Sequence, residues 1–273
     1  MDKFNKLIGR GIMPSDKRIK ILDVPVDMVD EKEAMKIFRE LMKTEKCSQI
    51  VTPNSEIIVN ASRNPELKRI IEQADLVIPD GIGLVYASKI MGAPLRERVT
   101  GIDFLNGILA YLEETGQSVF FLGSRPGEGG GLGVAELAAE KMREQYKGLA
   151  VAGTHHGYFK EADEEAVIKA VNDSGADFLC VAMGSPRQEK LVFDHREELK
   201  VKCAIGVGGS LDVWAGTLKR APEFYRNHGL EWLYRLIQEP SRYKRMAALP
   251  LFMIKVFVSR ASQMLIGGKR DGN

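Results

Sequence analysis

The residues able to do chemistry recur at one kind of position, just after short apolar runs. Gln49–Thr52 leads into Pro53, Asn54, Ser55 and Glu56; Leu76–Pro79 ends at Asp80, Gly81, Ile82 and Gly83; Phe178–Gly184 precedes Ser185, Pro186, Arg187, Gln188 and Glu189. Asp80, after a buried run and before two glycines, is a candidate general base: partial desolvation raises its basicity, and glycine lets a ligand approach the backbone. It reads equally well as a helix cap, because Asp is a favoured N-cap. Asn54 or Ser55 is placed to cap the helix that follows them. Further on, Arg220, Arg226, Arg235, Arg242 and Arg245 are interleaved with Trp232, Tyr234 and Tyr243. Guanidinium groups grip phosphate bidentately and keep their charge, so such a cluster can stand in for a metal at a departing diphosphate. A solvated helix face is the plainer reading. Nucleic acid is the rival partner, but no RNP, helix-turn-helix or zinc pattern accompanies the arginines.

Other candidates weaken on inspection. The segment Val119–Gly133, VFFLGSRPGEGGGLG, looks like a strand, a glycine loop and a helix start, yet Leu132 stands where G-x-G-x-x-G needs its third glycine, and no Gly-Lys-Ser/Thr occurs there. The loop is left without a ligand. His155 and His156 are adjacent, so a regular strand would point them apart; a turn-holding role is expected rather than a metal site. Tyr158 could stack on a planar base or simply pack. Ser185 lacks the G-x-S-x-G elbow of a hydrolase nucleophile. No D-x-D pair is present to hold a divalent cation on a nucleotide sugar, and Cys47, Cys180 and Cys203 are far apart with no metal-ligand spacing.

These residues need a scaffold, and the pattern supplies one. Seven apolar runs, Ile19–Val24, Gln49–Thr52, Leu76–Pro79, Val119–Gly123, Leu149–Gly153, Phe178–Gly184 and Cys203–Gly208, alternate with segments of helical period such as Phe104, Leu105, Ile108, Leu109 and Leu112. Alternation predicts an α/β, Rossmann-like fold with a mostly parallel sheet and helices on both faces. In such sheets ligands bind beyond the carboxyl ends of the strands. The chain has 273 residues, 44% hydrophobic and 28% charged, which excludes disorder, collagen and a disulfide miniprotein. Its net charge of +2 hides an asymmetry: residues 219–273 hold eleven Lys and Arg against four Asp and Glu. We therefore expect a Rossmann-like catalytic domain over 1–218 and a basic C-terminal helical appendage over 219–273. From Pro250 onward a narrow polar stripe of Lys255, Ser259, Ser262 and Gln263 interrupts Leu251, Phe252, Ile254, Val256, Phe257, Val258, Met264 and Leu265. With Arg242, Lys244, Arg245, Arg260, Lys269 and Arg270 flanking it, this pattern suits a helix lying in an anionic membrane interface, or else an oligomer contact or core helix. No apolar run is long enough to span a bilayer. Met1–Lys20 lacks the apolar stretch of a signal peptide, so the expected location is the cytoplasm.

Taken jointly, several segments resemble the TagA/WecG/CpsF family of glycosyltransferases. They are Thr52–Glu56, Pro79–Gly83, Arg98–Gly101, His156–Phe159, Gly184–Glu189, Arg220–Pro222 and Glu231–Arg235. The resemblance implies an inverting transfer of N-acetylmannosamine from UDP-N-acetylmannosamine to N-acetylglucosamine on undecaprenyl diphosphate. It implies no metal or other cofactor. The product would be a β-linked lipid disaccharide for a cell-wall polymer such as teichoic acid, made at the inner face of the membrane. By this likeness Asp80 is the general base and Thr52 a pocket residue needed for activity. Asn54 and Gln188 lie on the substrate side. Arg235, Arg242 and Arg245 close over the diphosphate, and Arg98, Tyr158 and Asp212 contact the donor nucleotide. The glycine run over 123–133 is longer than the family's short turn. Self-association is a further expectation; nucleic acid is not an expected partner. Two other classes remain open at the level of sequence: a nucleotide-sugar epimerase or dehydrogenase, and a non-catalytic nucleotide-binding adaptor at the membrane in which Asp80 only caps a helix.

Overall fold

Six of the seven apolar runs become neighbouring strands of one sheet. The computed structural model describes residues 18–240, 243 and 248–267. Strands β3 (Ser48–Val51), β4 (Leu76–Val77), β5 (Ser118–Gly123), β6 (Ala150–His155), β7 (Phe178–Ala182) and β8 (Cys203–Gly206) lie in the order β4-β3-β8-β7-β5-β6, and every pairing is parallel. Parallel neighbours require crossovers, and the helical segments between the runs provide them. The seventh run behaves differently. Ile19–Val24 is not one strand, because Leu22 and Asp23 take left-handed φ values of 51° and 63° and fold it back on itself. It becomes an antiparallel hairpin, β1 (Arg18–Ile21) and β2 (Val24–Asp27), outside the main sheet. A two-residue turn of this hand matches strand twist, but Leu at its first position gave no turn signal. Asp27 anchors the hairpin: fully buried, it pairs with Arg18 at 2.8 Å and accepts the Val77 N–H at 2.7 Å.

Helices cover both faces. On one, α1 (Glu31–Leu41), α5 (Gly101–Thr115), α6 (Val134–Gln145) and the short α9 (Ser210–Trp214) pack on Ile50, Leu76, Phe121, Phe178, Cys180 and Ile205. On the other, α2 (Ser55–Ala61), α3 (Pro65–Gln73) and α4 (Ile82–Ile90) pack with the hairpin, while α7 (Glu164–Asp173) and α8 (Arg187–Asp194) cover Phe120, Leu122, Leu179, Val181 and Ala204. Alternate residues of β5 and β7 thus serve opposite layers, as period-two geometry demands. All three cysteines are buried and unbridged.

Past Gly216 come α10 (Glu223–Asn227), α11 (Glu231–Gln238) and α12 (Ala248–Gly267). Of the apolar residues on α12, Phe252 and Val256, four apart and so on one side, are fully buried in the cluster that contains Val59, Leu84 and Ala87 of α2 and α4. Leu251, Ile254, Phe257 and Val258 are exposed, three of them by about 60%. The helix therefore has one side in the core and another side apolar and open. Met264 and Leu265 lie outside the described side chains. Among the described residues no helix is long and apolar enough to cross a membrane.

Candidate active site

The carboxyl edge of the sheet gathers most of the residues singled out above. Thr52 directly follows β3, and its hydroxyl donates to the Gly206 carbonyl at the end of β8, 3.1 Å away. Asp80 follows β4 by three residues, and its N–H donates to the Pro53 carbonyl at 3.1 Å. Both side chains face Gly101, the first residue of α5: a Cβ there would lie 3.6 Å from Asp80 Oδ2 and 3.8 Å from Thr52 Oγ1. A hydroxyl and a carboxylate thus converge on one helix N-terminus. The alternative of Asp80 as a cap of α4 does not hold. The cap position belongs to Gly81, whose φ of 98° makes the turn, and no side chain caps that helix.

Charge around Asp80 is arranged on both sides of neutrality. Asp80 is half-buried at the surface, but its carboxyl is enclosed by protein, and burial raises it above the ordinary 3.8. Arg98, Arg235 and the Gly101 N–H pull the other way, and Asp103 adds to the rise. Desolvation wins, which leaves a more basic carboxylate than a free one. Arg98 in turn is ion-paired with Glu231 of α11. Its own proton affinity is lowered, first by burial and then by Arg220 and Arg235, against Asp80 and Asp103; an arginine so perturbed still carries its charge.

Next to this pair stands a second cluster. The Arg220 guanidinium bonds both Asp103 oxygens, at 2.6 and 2.7 Å, and the Thr100 hydroxyl donates to Asp103 at 2.5 Å. Burial would raise Asp103, but Thr100, Arg220 and Arg226 outweigh it and hold the carboxyl below 3.8. Arg98, Arg220 and Arg226 each keep a buried Nε with no partner among the described residues.

The remaining candidates are distributed along the same edge. Asn54 caps α2, its Oδ1 accepting the Ile57 N–H at 3.0 Å. Gln188, in the first turn of α8, is 3% exposed, beneath the turns that follow β7 and β8. Asp212 on α9 accepts from the Ser124 hydroxyl at 2.8 Å, beyond β5. Tyr158, past β6, is 67% exposed on a turn held by Arg187, which donates to the Gly157 and Phe159 carbonyls at 3.0 and 2.7 Å. The two histidines act as expected: His155 Nδ1 meets the His156 carbonyl at 2.7 Å, and His156 Nδ1 takes the Tyr158 N–H at 3.2 Å. Thr52, Asp80, Arg98 and Arg235 thus form one group at the β4–β3 end, Asp212 and Tyr158 belong to the β5–β6 end, and Gln188 lies between. Arg242 and Arg245 fall outside the described residues.

Two acids escaped the sequence reading of the site. Asp103 stands three residues after Thr100, the spacing of a helix cap, and Glu231 opens the Glu231–Arg235 segment; neither spacing says which arginine it will hold. The glycine-rich loop is closed on itself. Gly133 N–H at the start of α6 donates to Glu136 at 2.5 Å, and a Cβ on Gly127 would strike the Gly131 carbonyl. An acid already occupies the helix N-terminus that a dinucleotide phosphate would need.

This geometry agrees with what the chain is similar to. The model of the glycosyl transferase WecG/TagA/CpsF family matches residues 19–265. An N-acetylglucosaminyldiphosphoundecaprenol N-acetyl-beta-D-mannosaminyltransferase of Bacillus spizizenii is 36% identical over 207 residues, covering 76% of this chain and 77% of that protein. A protein of the same name from Staphylococcus aureus strain MRSA252 is 34% identical over 242 residues, covering 88% and 92%. Fold, edge site and likeness over most of both lengths lead to one conclusion: the chain belongs to the WecG/TagA/CpsF family of glycosyl transferases.

Proposed function

We propose that this protein moves N-acetylmannosamine from UDP-N-acetylmannosamine to the N-acetylglucosamine of a polyprenyl diphosphate, with inversion, as a step in cell-wall polymer synthesis. The names of its relatives support the acceptor and the sugar. The observation that carries the chemistry is Asp80, a desolvated carboxyl at a helix N-terminus beside Thr52 and two arginines. In a single displacement the acceptor hydroxyl oxygen attacks the anomeric carbon. Asp80 takes the hydroxyl proton, and the bond to the diphosphate breaks with its electron pair going to the departing UDP. One base suffices when the leaving group departs from the opposite face.

Negative charge grows on that diphosphate, and positioned arginines stabilise it without a metal. Arg98, Arg220, Arg226 and Arg235 outnumber the acids among them, and the unpartnered Nε donors on three of them are groups that an anion would satisfy. Arg242 and Arg245 complete this set in our reading. Asn54 and Gln188 support the sugar side; Asp212 and the exposed Tyr158 receive the nucleotide. Because the acceptor is a lipid, the enzyme works at a membrane surface, and we assign docking on its inner, cytoplasmic face to the open side of α12.

UDP release measured with a short-chain lipid acceptor and a panel of donor sugars tests the reaction. Release that requires both the acceptor and the N-acetylmannosamine donor is expected. Release independent of acceptor, or faster with the C2 epimer, would contradict the assignment.

A further inference from the structure

The polar groups beneath the carboxyl edge of the sheet are bonded to one another. Gln188 uses both ends of its amide: Oε1 accepts the Gly184 N–H at 3.2 Å and the Gly208 N–H at 3.1 Å, while Nε2 donates to Glu189 Oε1 at 2.8 Å. Gly184 lies in the turn after β7 and Gly208 in the turn after β8, at left-handed φ values of 77° and 52°. One side-chain oxygen therefore clasps the two turns that border the site. Gly206 passes so close that a Cβ on it would fall 2.5 Å from Gln188 Nε2. The carbonyl of that glycine is the one that takes the Thr52 hydroxyl. A continuous path runs from Glu189 through Gln188 and Gly206 to Thr52.

Glu189 is the member of this path that the reaction does not explain. It is 3% exposed, and no cation pairs with it among the described residues. Gln49 Nε2 donates to its backbone carbonyl at 2.8 Å, Gln49 Oε1 is a buried oxygen without a partner among the described residues, and the Ser185 side chain lies against the Glu189 carboxyl. The value of an acceptor at this point lies in the amide it faces. Flipped by half a turn, Gln188 would set Nε2 against two N–H donors; an oxygen on residue 189 selects the orientation that works.

We propose that Glu189 is a positioning residue of the transfer site, acting through Gln188 to set the spacing of the Gly184 and Gly208 turns and of Thr52 without touching substrate. This rests on the carboxyl edge around Asp80 being the transfer site. Burial pushes the Glu189 carboxyl above its ordinary range, against Gln188 and Ser185.

The test compares Glu189→Leu, which fills the space without an acceptor, with Glu189→Gln, which keeps one. In the full chain Glu189→Leu is expected to lower kcat/KM for the donor by about tenfold, with Glu189→Gln restoring it to within about threefold of the parent. Hydrogen exchange at the Gly184 and Gly208 amides should accelerate in Glu189→Leu and return to the parent rate in Glu189→Gln, while the β7 and β8 amides stay protected. Unchanged exchange at those two glycines in Glu189→Leu overturns the proposal, as does Glu189→Gln impaired as badly as Glu189→Leu. If Glu189→Leu does not fold, Gln188→Leu takes its place: faster exchange at the same two amides supports the clasp, and unchanged exchange overturns it. Exchange needs neither sugar nor lipid, so a parent protein inactive in the transfer assay would sink the functional reading while the clasp is tested separately.

Discussion

At Asp80 two opposed influences meet, enclosure by protein and the field of Arg98 and Arg235, and enclosure is the larger. A base works ionised, so the acidic limb of kcat/KM should lie above 3.8, with activity rising as pH rises through it. Arg98 opposes the rise, so Arg98→Gln should carry the limb to higher pH as well as weaken transfer; a pH–rate profile in which the limb stays still or moves down would remove Arg98 from this balance. The placement of Asp80 at the carboxyl edge was legible in the sequence because a buried run, an acid and two glycines coincide, and the cap alternative was settled only when Gly81 took that place. Asp103 and Glu231 were not legible. Which arginine an acid holds depends on how α5, α10 and α11 meet, and no local spacing encodes that meeting.

The elements were easier to read than their ends. Short apolar runs and period-3.6 patterns gave six strands and their crossovers, but Ile19–Val24 was missed as a hairpin, since Leu22 carries no turn signature. Helix α12 shows why composition misjudges an amphipathic end: the apolar residues look continuous along the chain, while packing separates them by angle around the helix. Phe252→Ala should therefore cost about 3–5 kcal/mol of stability, as for other buried aromatics, and Phe257→Ala should stay within about 0.5 kcal/mol. Denaturant unfolding of both variants checks this, and equal losses would mean that Phe252 is not a core residue.

For the whole molecule, the C-terminal elements are stitched to the sheet at separate points. Arg220 holds Asp103, Glu231 holds Arg98, and α12 rests on α2 and α4. The same stretch that brings Arg220 to Asp103 and Arg235 near Asp80 also presents Ile254, Phe257 and Val258 outward, which is the basis of the proposed coupling between transfer and surface docking. Replacing Ile254 and Phe257 together by Ser should leave thermal stability unchanged and weaken binding to anionic vesicles by about tenfold or more, the scale of the apolar area withdrawn. Undiminished sedimentation with vesicles would remove α12 from docking.

The role of Asp80 is open to direct measurement in single-turnover transfer by Asp80→Asn with a lipid-linked acceptor. Asn keeps the shape and loses the proton acceptor, so the rate should fall by about 10²–10⁴-fold while circular dichroism and UDP binding are retained. A folded, nucleotide-binding Asp80→Asn protein that transfers sugar at nearly the parent rate would contradict the assignment of Asp80 as the base.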